Sequence, residues 1–389
     1  MPSSTPSGPL SGILVADFSR VLAGPLATMT LADLGARVIK VERPNIGDDT
    51  RSWGPPFSAT GSTYFESVNR NKESVCLDLT QSGDLILARK LIARADIVVE
   101  NFKPGAMQKL GLGYDHARAT NPGVVYASIS GFGSAGGREL LGYDFVVQAL
   151  GGLMSITGEA DGAPLKAGVA LVDVLTAKDA VAGILAALLQ RRSTGLGALL
   201  ELNLLSSLQG SLVNQAQAYL GAGVVPTRLG NTHPSIAPYE TLDCADGSLA
   251  VACGNDAQFR RFATVLGAPQ LLEDPRFLDN SQRVANRAAL VPLLEAQLQR
   301  HGAAEWQRQL TLVGVPAGRV GTVADGFALA ESLGLEPTIE VLDASGVAVA
   351  TQVRHPITWS PPITRKNVAP PLLGQQDAAV RDWLAGPVS

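Results

Sequence analysis

The sequence predicts an α/β protein in which a large domain with a parallel sheet is joined to a smaller α+β domain. Short strand-like and helix-like segments alternate over residues 12–130, which is typical of parallel βαβ units with helices on both faces. A chain of 389 residues exceeds one ordinary core, and 46% of its residues are hydrophobic. After residue 240 the alternation gives way to a hairpin and then helices. In parallel sheets, ligands bind beyond the carboxyl ends of the strands.

The predicted elements of the large domain are bounded by glycines and by shifts in hydrophobic period. The first helix ends at Gly35, and a later helix ends at basic residues followed by Gly195, as helix C-termini commonly do. Residues 198–220 predict a further strand and a long helix. The other strands are predicted at 12–18, 37–42, 74–79, 96–102 and 123–130, and the helices at 25–35, 84–95 and 177–190.

The second half of the chain has a different pattern. The segment 221–240 is rich in glycine and proline and marks a boundary. Residues 239–253 then predict a hairpin, and helices follow near 256–266 and 284–300. This order indicates the smaller α+β domain, over about residues 240–320. The C-terminal tail, residues 340–389, contains one further strand-like segment at 346–353.

Composition narrows the class of protein. The net charge is −4 and no run of lysine or arginine is present, so we expect small-molecule partners and no nucleic acid. The N-terminus lacks the features of a signal or transit peptide, and no apolar run has the length of a membrane span. A cytoplasmic protein with no membrane partner is therefore predicted. The three cysteines, Cys76, Cys244 and Cys253, show no C-x-x-C spacing and imply no disulfide framework.

Common catalytic and cofactor motifs are incomplete or missing. "GFGSAG" at 131–136 matches G-x-G-x-x-G, but no clean amphipathic helix follows and no strand ends in an acid at the required distance. A loop at the sheet edge is favoured over nicotinamide binding. G-x-S-x-G, Walker and H-E-x-x-H motifs do not occur, and no metal is expected, because the four histidines are scattered. They are His116, His233, His301 and His355.

Asp173 is an unusual residue, because it stands in the apolar segment "GVALVDVLTA". Burial of a carboxylate is costly unless it is paired or reactive. Asp is a favoured helix N-cap, but Thr176 and Asp179 have the spacing of a capping box, which predicts a helix over 177–190. Asp173 would then lie about one turn before a helix N-terminus, where negative charge is favoured. From this segment alone, a structural cap and a functional carboxylate both remain open.

Several segments together resemble one family. They are "VADFSRVLAGPLATMTLADLGARVIKVERPNIGDDTR", "NRNKESVCLDL", "ADIVVENFKPGAMQKLGLGY", "GYDFVVQALGGLMSITGE", the Asp173 segment and "PPLLGQ". In this order, from about residue 9 to residue 380, they resemble the class III CoA-transferases, the family of formyl-CoA transferase and carnitine CoA-transferase. "GDDTRSWGPPF" is most similar to the succinyl-CoA:glutarate, or dicarboxylate, branch.

The resemblance implies an interlocked homodimer with a Rossmann-like large domain. Residues 1–220 would form the first part of this CoA-binding domain, and 221–239 a linker with a glycine-rich loop. Residues 240–325 would form the small domain, and 326–389 a linker and a C-terminal segment that returns to the large domain. No cofactor would be bound permanently, because coenzyme A thioesters are the substrates.

The resemblance also assigns the chemistry. Asp173 would be the nucleophile, which attacks an acyl-CoA to form a mixed anhydride and then an aspartyl-CoA thioester. The protein must supply orientation, exclusion of water and N–H donors for the oxyanions, for which the glycine-rich loop is a candidate. The predicted CoA contacts are Val21, Leu22, Ala23, Arg43, Leu77, Thr80, Asn101, Phe102, Lys109 and Tyr143. Thr80 stands where some members have lysine, and Lys109 where some have arginine.

Arg20 and Arg70 are the predicted substrate-binding residues, since an arginine pairs well with the second carboxylate of a diacid. The interpretation favours succinyl-CoA as donor and a diacid such as glutarate as acceptor. Either arginine could instead pair with a nearby acid or with the CoA phosphates.

Three alternatives remain. The first is a transferase for another acid, such as formate, oxalate or carnitine. The second is an α-methylacyl-CoA racemase, which needs two acid–base groups and has a histidine where this chain has Tyr143. The third is a CoA-binding protein without activity, which would tolerate Asp173→Ala.

Overall fold

A computed structural model describes residues 8–363 and 367–386. Its main sheet has six parallel strands in the order β3-β2-β1-β4-β5-β6, the order typical of doubly wound dinucleotide-binding folds. These strands are β1 (Leu14–Asp17), β2 (Arg37–Glu42), β3 (Lys72–Cys76), β4 (Ile97–Glu100), β5 (Val125–Ser130) and β6 (Ala198–Asn203). The predicted α/β class and parallel sheet are confirmed.

The remaining strands form two small antiparallel sheets, β7-β8-β9 and β10-β11. These are β7 (Tyr239–Cys244), β8 (Gly247–Ala252), β9 (Ala317–Arg319), β10 (Thr338–Leu342) and β11 (Ala348–Val353). The first eight helices are α1 (Ala23–Asp33), α2 (Thr63–Glu66), α3 (Ser82–Arg94), α4 (Ala106–Lys109), α5 (Tyr114–Thr120), α6 (Asp144–Leu150), α7 (Leu153–Ile156) and α8 (Leu171–Thr194). The others are α9 (Leu204–Ser211), α10 (Val213–Ala222), α11 (Asp256–Val265), α12 (Asn280–Ala285), α13 (Arg287–Leu298), α14 (Ala303–Leu312), α15 (Val323–Ser332) and α16 (Asp377–Ala385).

The main sheet is buried on both faces, which explains why its strands are almost continuously apolar. Val15 and Val99 point into the core formed with α1, α8 and α9. Their neighbours Ala16 and Val98 point into the core formed with α3, α5 and α16. Helix α16 lies near the C-terminus, so the end of the chain completes this second core.

The chain divides into two compact units. The first contains the residues up to Leu153, Lys166–Val224 and the residues from Glu336 onward, and it holds the main sheet. The second contains Met154–Leu165 and Val225–Leu335. Its own core packs β7 and β8 against the helices α11, α13 and α14, with Trp306 fully buried.

Two predicted elements near Asp173 are wrong in detail. Helix α8 begins at Leu171, not at residue 177, so Asp173 lies in its first turn. Thr176 is not a cap, because its hydroxyl donates to the carbonyl of Val172 within the helix, at 2.8 Å. Ala170 occupies the N-cap position and has no side-chain oxygen to offer. The end of the helix at Gly195, with φ +70°, is as predicted.

Other boundaries also differ from the prediction. Strand β3 begins two residues earlier than predicted, at Lys72, and ends at Cys76. The long helix predicted after β6 is divided into α9 and α10 at Val213, which has a φ of +42°. Within the described part of the chain, no helix combines the length and apolar character needed to cross a membrane.

Candidate active site

Two cavities meet at the carboxyl ends of β1 and β4, where the order of the sheet reverses. The first, of about 430 Å³, lies along the loop after β1 and the start of α8. The second, of about 300 Å³, lies toward β2 and the loop after β3. Arg20 and Phe102 line both cavities, so we treat the two as one groove.

Most of the predicted site residues line this groove. The first cavity is lined by Arg20, Val21, Leu22, Ala23, Asn101, Phe102, Tyr143 and Asp173. The second is lined by Arg43 and Thr80 in addition to Arg20 and Phe102. None of the four histidines lines either cavity.

The carboxylate of Asp173 lies half-buried in the first turn of α8 and faces the first cavity. Burial, together with the nearby charge of Asp144, raises its pKa to about 7. A carboxylate with a raised pKa is more basic than an ordinary one, and therefore a better nucleophile once it is deprotonated.

Asp144 occupies the helix end that would otherwise stabilise Asp173. Its Oδ1 accepts hydrogen bonds from the backbone N–H groups of Val172 (2.7 Å) and Asp173 (3.3 Å). Two of the free amides at the N-terminus of α8 are thus taken by a second acid. The Asp173 carboxylate loses those donors and gains a like charge, and both effects disfavour its ionised form.

Gln148 holds Asp144 and the segment before α8 together. This fully buried side chain donates from Nε2 to Asp144 Oδ2 (2.6 Å) and accepts the N–H of Ala167 at Oε1 (2.9 Å). Asp144 and Gln148 face each other one turn apart on α6. Sequence analysis missed both, although the acid directly after Tyr143, at a helix start, was a usable signal.

The loop after β1 is fixed on both sides of Arg20. The Arg20 N–H donates to Asn101 Oδ1 (2.8 Å), and Asn101 Nδ2 donates to the Arg20 carbonyl (2.7 Å). The buried Lys40 ammonium donates to the Ser19 carbonyl (2.8 Å) and pairs with Asp48 at 2.9 Å. Side chains from β2, the loop after β2 and the end of β4 therefore hold this loop in one conformation.

Val21 adopts a left-handed conformation, with a φ of +70°. Such a φ is a true outlier for a β-branched residue and costs on the order of 1–3 kcal/mol. The Asp48 carboxylate accepts the Val21 N–H at 3.3 Å and supports this geometry. Strain of this kind persists where the surroundings impose it, and here it lies in the wall of the groove.

The Arg20 guanidinium lies over the ring of Phe102, 5.1 Å from its centre, where the two cavities meet. Asp49 lies between the two groove arginines. Its carboxylate pairs with Arg43 at 2.5 Å and approaches Arg20 at 3.6 Å. Arg43 also donates to the carbonyl of Gly47, so it is held more firmly than Arg20.

Two of the predicted CoA contacts lie outside the groove. The side chain of Leu77 is buried in the core, because its strand ends one residue earlier, and it lines neither cavity. Lys109 is exposed on α4 and also lines neither. The contact of both residues with CoA stays a prediction.

Arg70, a predicted substrate-binding residue, lies away from the groove in this structure. It precedes the amino end of β3 and pairs with Asp33, the last residue of α1, and with the carbonyl of Val353. The groove lies at the opposite end of α1, near Ala23, which is ~15 Å away at 1.5 Å per residue. Arg70 therefore forms a buried structural ion pair in this unit and does not line the groove.

The glycines of "GFGSAG" lie in a loop and do not form a dinucleotide-binding motif. Residues 131–143 form no helix or strand, and the loop closes where Gly131 meets Gly142. A Cβ on Gly131 would stand 2.5 Å from the Gly142 Cα, so neither position accepts a side chain without movement. Both residues line the first cavity.

Tyr64, on α2, is a third residue that sequence analysis missed. Burial raises its pKa to about 12, with further contributions from the charges of Asp173 and Asp144. Its ring packs edge-on against Trp53, with 5.1 Å between centres. A neutral phenol within electrostatic range of the nucleophile is a potential hydrogen-bond donor.

Comparison with known proteins places the chain in a family. Residues 10–377 match the model of CoA-transferase family III. A succinate–glutarate CoA-transferase of Agrobacterium fabrum is 41% identical, covering 98% of this chain and 96% of the relative. An acetyl-CoA:oxalate CoA-transferase of Acetobacter aceti is 38% identical over 98% of this chain and 97% of the relative.

The fold agrees with this match. The crystal structure of a CAIB/BAIF family protein from Brucella suis superposes with a TM-score of 0.86 at 44% identity, covering 97% of this chain and all of that one. The chain belongs to CoA-transferase family III and is a class III CoA-transferase, which confirms the resemblance found in the sequence.

Proposed function

We propose that the protein transfers CoA from succinyl-CoA to a dicarboxylic acid such as glutarate, with Asp173 as the nucleophile. The observation that carries this proposal is the Asp173 carboxylate, which lines the groove at the sheet's switch point with a pKa of about 7. Among the described residues, no side chain donates it a hydrogen bond in the structure. It is therefore available for a substrate.

The reaction needs no metal or nucleotide, because each step exchanges one activated acyl group for another. Asp173 attacks the thioester carbonyl and forms a mixed anhydride, and the CoA thiolate leaves. The thiolate then attacks the aspartyl carbonyl, which releases succinate and leaves an aspartyl-CoA thioester. The acceptor carboxylate repeats the two steps in reverse order. The carboxylate of Asp173 is regenerated, with no net proton transfer.

The groove suits this chemistry along its length. The reacting end lies in the first cavity beside Asp173 and Tyr143, and the CoA chain would run past Phe102 into the second cavity, toward Arg43 and Thr80. The N-terminus of α1, at Leu22 and Ala23, offers free backbone N–H groups to a developing oxyanion. A two-base racemase is less well supported, since no histidine lines the groove.

Arg20 is the proposed partner of the acceptor's second carboxylate. Its backbone is fixed, and the nearest acid to its guanidinium, Asp49, stands at 3.6 Å, beyond ordinary hydrogen-bond length. A pocket in which an arginine pairs with the second carboxylate of a diacid rejects acids that have only one carboxylate. The named relatives agree on a CoA-transferase but differ in acid, since one is named for glutarate and another for oxalate.

A panel of acceptors tests the substrate. The protein is incubated with succinyl-CoA and equal concentrations of glutarate, oxalate, formate, carnitine and butyrate, and new thioesters are identified by mass spectrometry. The proposal predicts a preference for glutarate and a loss of that preference over butyrate in Arg20→Ala. Arg70→Ala serves as the matched arginine control and should keep the preference. Preference for formate or carnitine, or an unchanged preference in Arg20→Ala, would contradict it.

The active form is proposed to be an interlocked homodimer, as the family resemblance implies. Exposed apolar side chains, such as Leu220 on α10 and, in the second unit, Val323 and Leu329 on α15, are consistent with surfaces that another chain covers. Sedimentation at micromolar concentration should give a dimer that dilution does not dissociate. A monomer would contradict the proposal.

A further inference from the structure

We infer that Asp49 is a built-in counter-anion of the groove, which competes with the anionic groups of the substrate for Arg20 and Arg43. The inference rests on the proposed placement of CoA in the groove. It adds a residue whose charge opposes the binding of anions at the two arginines of the groove.

The position of Asp49 is the first observation. One carboxylate stands between two arginines, at 2.5 Å from Arg43 and 3.6 Å from Arg20, and it lines the first cavity. The three side chains are each between one third and one half exposed, so a ligand in the groove can reach all of them. No other acid pairs with either guanidinium among the described residues.

The fixed backbone on both sides is the second observation. Asn101 holds the N–H and carbonyl of Arg20, and the adjoining Asp48 is buried and held by Lys40. Asp48 also caps the short turn Asp49–Ser52 by accepting the Thr50 N–H. The backbone that carries Arg20 and Asp49 is therefore held in place, and a ligand that binds either guanidinium must exchange with the Asp49 carboxylate.

The ion pair of Asp49 with Arg43 is stronger than its ion pair with Arg20, so a ligand displaces Asp49 from Arg20 more easily than from Arg43. The Arg43 guanidinium makes a short contact with Asp49 and hydrogen bonds to the Gly47 carbonyl, whereas the Arg20 guanidinium lies over the Phe102 ring and approaches Asp49 only at the longer distance. An incoming carboxylate therefore finds donors on Arg20 at once. A phosphate must compete with Asp49 for Arg43, which lowers affinity for CoA and favours its release.

The test measures CoA binding directly, by calorimetry at low ionic strength. In Asp49→Asn the dissociation constant for free CoA should fall about two- to fivefold, the effect of one exposed ion pair. The difference in dissociation constant between this variant and the wild type should shrink in about 0.5 M salt, because exposed charges are then screened. Asp49→Glu keeps the charge and should bind CoA as the wild type does.

Two further variants separate this inference from the placement of CoA. Asp115→Asn removes the same charge from α5, where it lines neither cavity, and should leave the dissociation constant unchanged. Arg43→Ala should weaken CoA binding if the nucleotide end lies in the second cavity. If Arg43→Ala has no effect, the placement and the inference both fail. If Arg43→Ala weakens binding but Asp49→Asn weakens it too or leaves it unchanged, Asp49 orients the arginines and the counter-anion role is wrong.

Discussion

At the scale of single residues, the surroundings of Asp173 disfavour its ionised form. Burial and the Asp144 carboxylate both oppose its ionisation, and the helix amides that would favour ionisation are already bonded to Asp144. Asp173 therefore stands at a helix N-terminus without the stabilisation that a helix N-terminus normally gives a carboxylate. In the proposed role of Asp173, its reactivity follows from this lost stabilisation.

This arrangement predicts how activity depends on pH. Attack requires the deprotonated carboxylate, so kcat/KM should rise with pH up to about 7, the pKa of Asp173, and level off above it. In Asp144→Asn one cause of the raised pKa is removed, so the rising limb should move to lower pH. Asp179→Asn, on the exposed face of the same helix, removes an equal charge and is the control. An unchanged limb in Asp144→Asn would contradict the role of Asp144.

The raised pKa also predicts an effect on stability. The pKa of Asp173 in the folded protein, about 7, lies above its ordinary value of 3.8, so its ionisation destabilises the fold as pH rises between these values. Asp173→Asn should therefore unfold at a higher temperature than the wild type at pH 8, by roughly 2 °C. The gain should shrink toward pH 5, where the wild-type carboxyl is protonated. Equal melting temperatures at pH 8 would show that the penalty is absent.

At the scale of elements, the loop after β1 stores strain in the wall of the groove. Val21 is left-handed, and the surrounding hydrogen bonds hold it there. Glycine adopts that conformation without steric cost, whereas alanine does not. Val21→Gly should therefore be more stable than Val21→Ala by about 1 kcal/mol, measured by denaturant unfolding, although glycine is normally the less stable of the two. The reverse order would show that the left-handed conformation is not imposed.

Local sequence patterns predicted the presence of the helices and strands better than the residues at which they begin and end. Strand β2 falls at the predicted residues 37–42, because its apolar run is bounded by local signals. The start of α8 was predicted wrongly because its cap comes from Asp144, 29 residues earlier and on another helix. No pattern in the segment 166–192 contains that information. Thr176 matched a capping box but is used inside the helix.

At the scale of the whole molecule, topology decides which residues meet. Arg20 and Asn101 are 81 residues apart and exchange two hydrogen bonds, because β1 and β4 are neighbours in the sheet. Arg70 was placed in the site on the basis of its position in the sequence, but it precedes a strand, at the edge of the sheet away from the groove. Asp173 itself was identified from its apolar setting and the family resemblance together.

A substitution at Asn101 measures the importance of its two hydrogen bonds to the Arg20 backbone. Asn101→Ala removes both hydrogen bonds to Arg20 and should raise KM for the diacid about tenfold or more, since two such bonds contribute ~1 kcal/mol each. Asn121→Ala is the matched control, because Asn121 also bridges two backbone segments, Ala95 and Gly123, away from the groove. Both variants should lose similar stability, and only Asn101→Ala should lose affinity. Equal KM values would contradict a positioning role for Asn101.

The central claim is that Asp173 is acylated during the reaction, and trapping this intermediate tests it most directly. The protein is mixed with succinyl-CoA, quenched with borohydride, digested and analysed by mass spectrometry, so that an activated aspartyl group is read as the corresponding alcohol. Modification is predicted on Asp173 and not on Asp179 of the same helical peptide, and it should disappear without succinyl-CoA and in Asp173→Asn. Modification of a different residue, or full transferase activity in Asp173→Asn, would contradict the account.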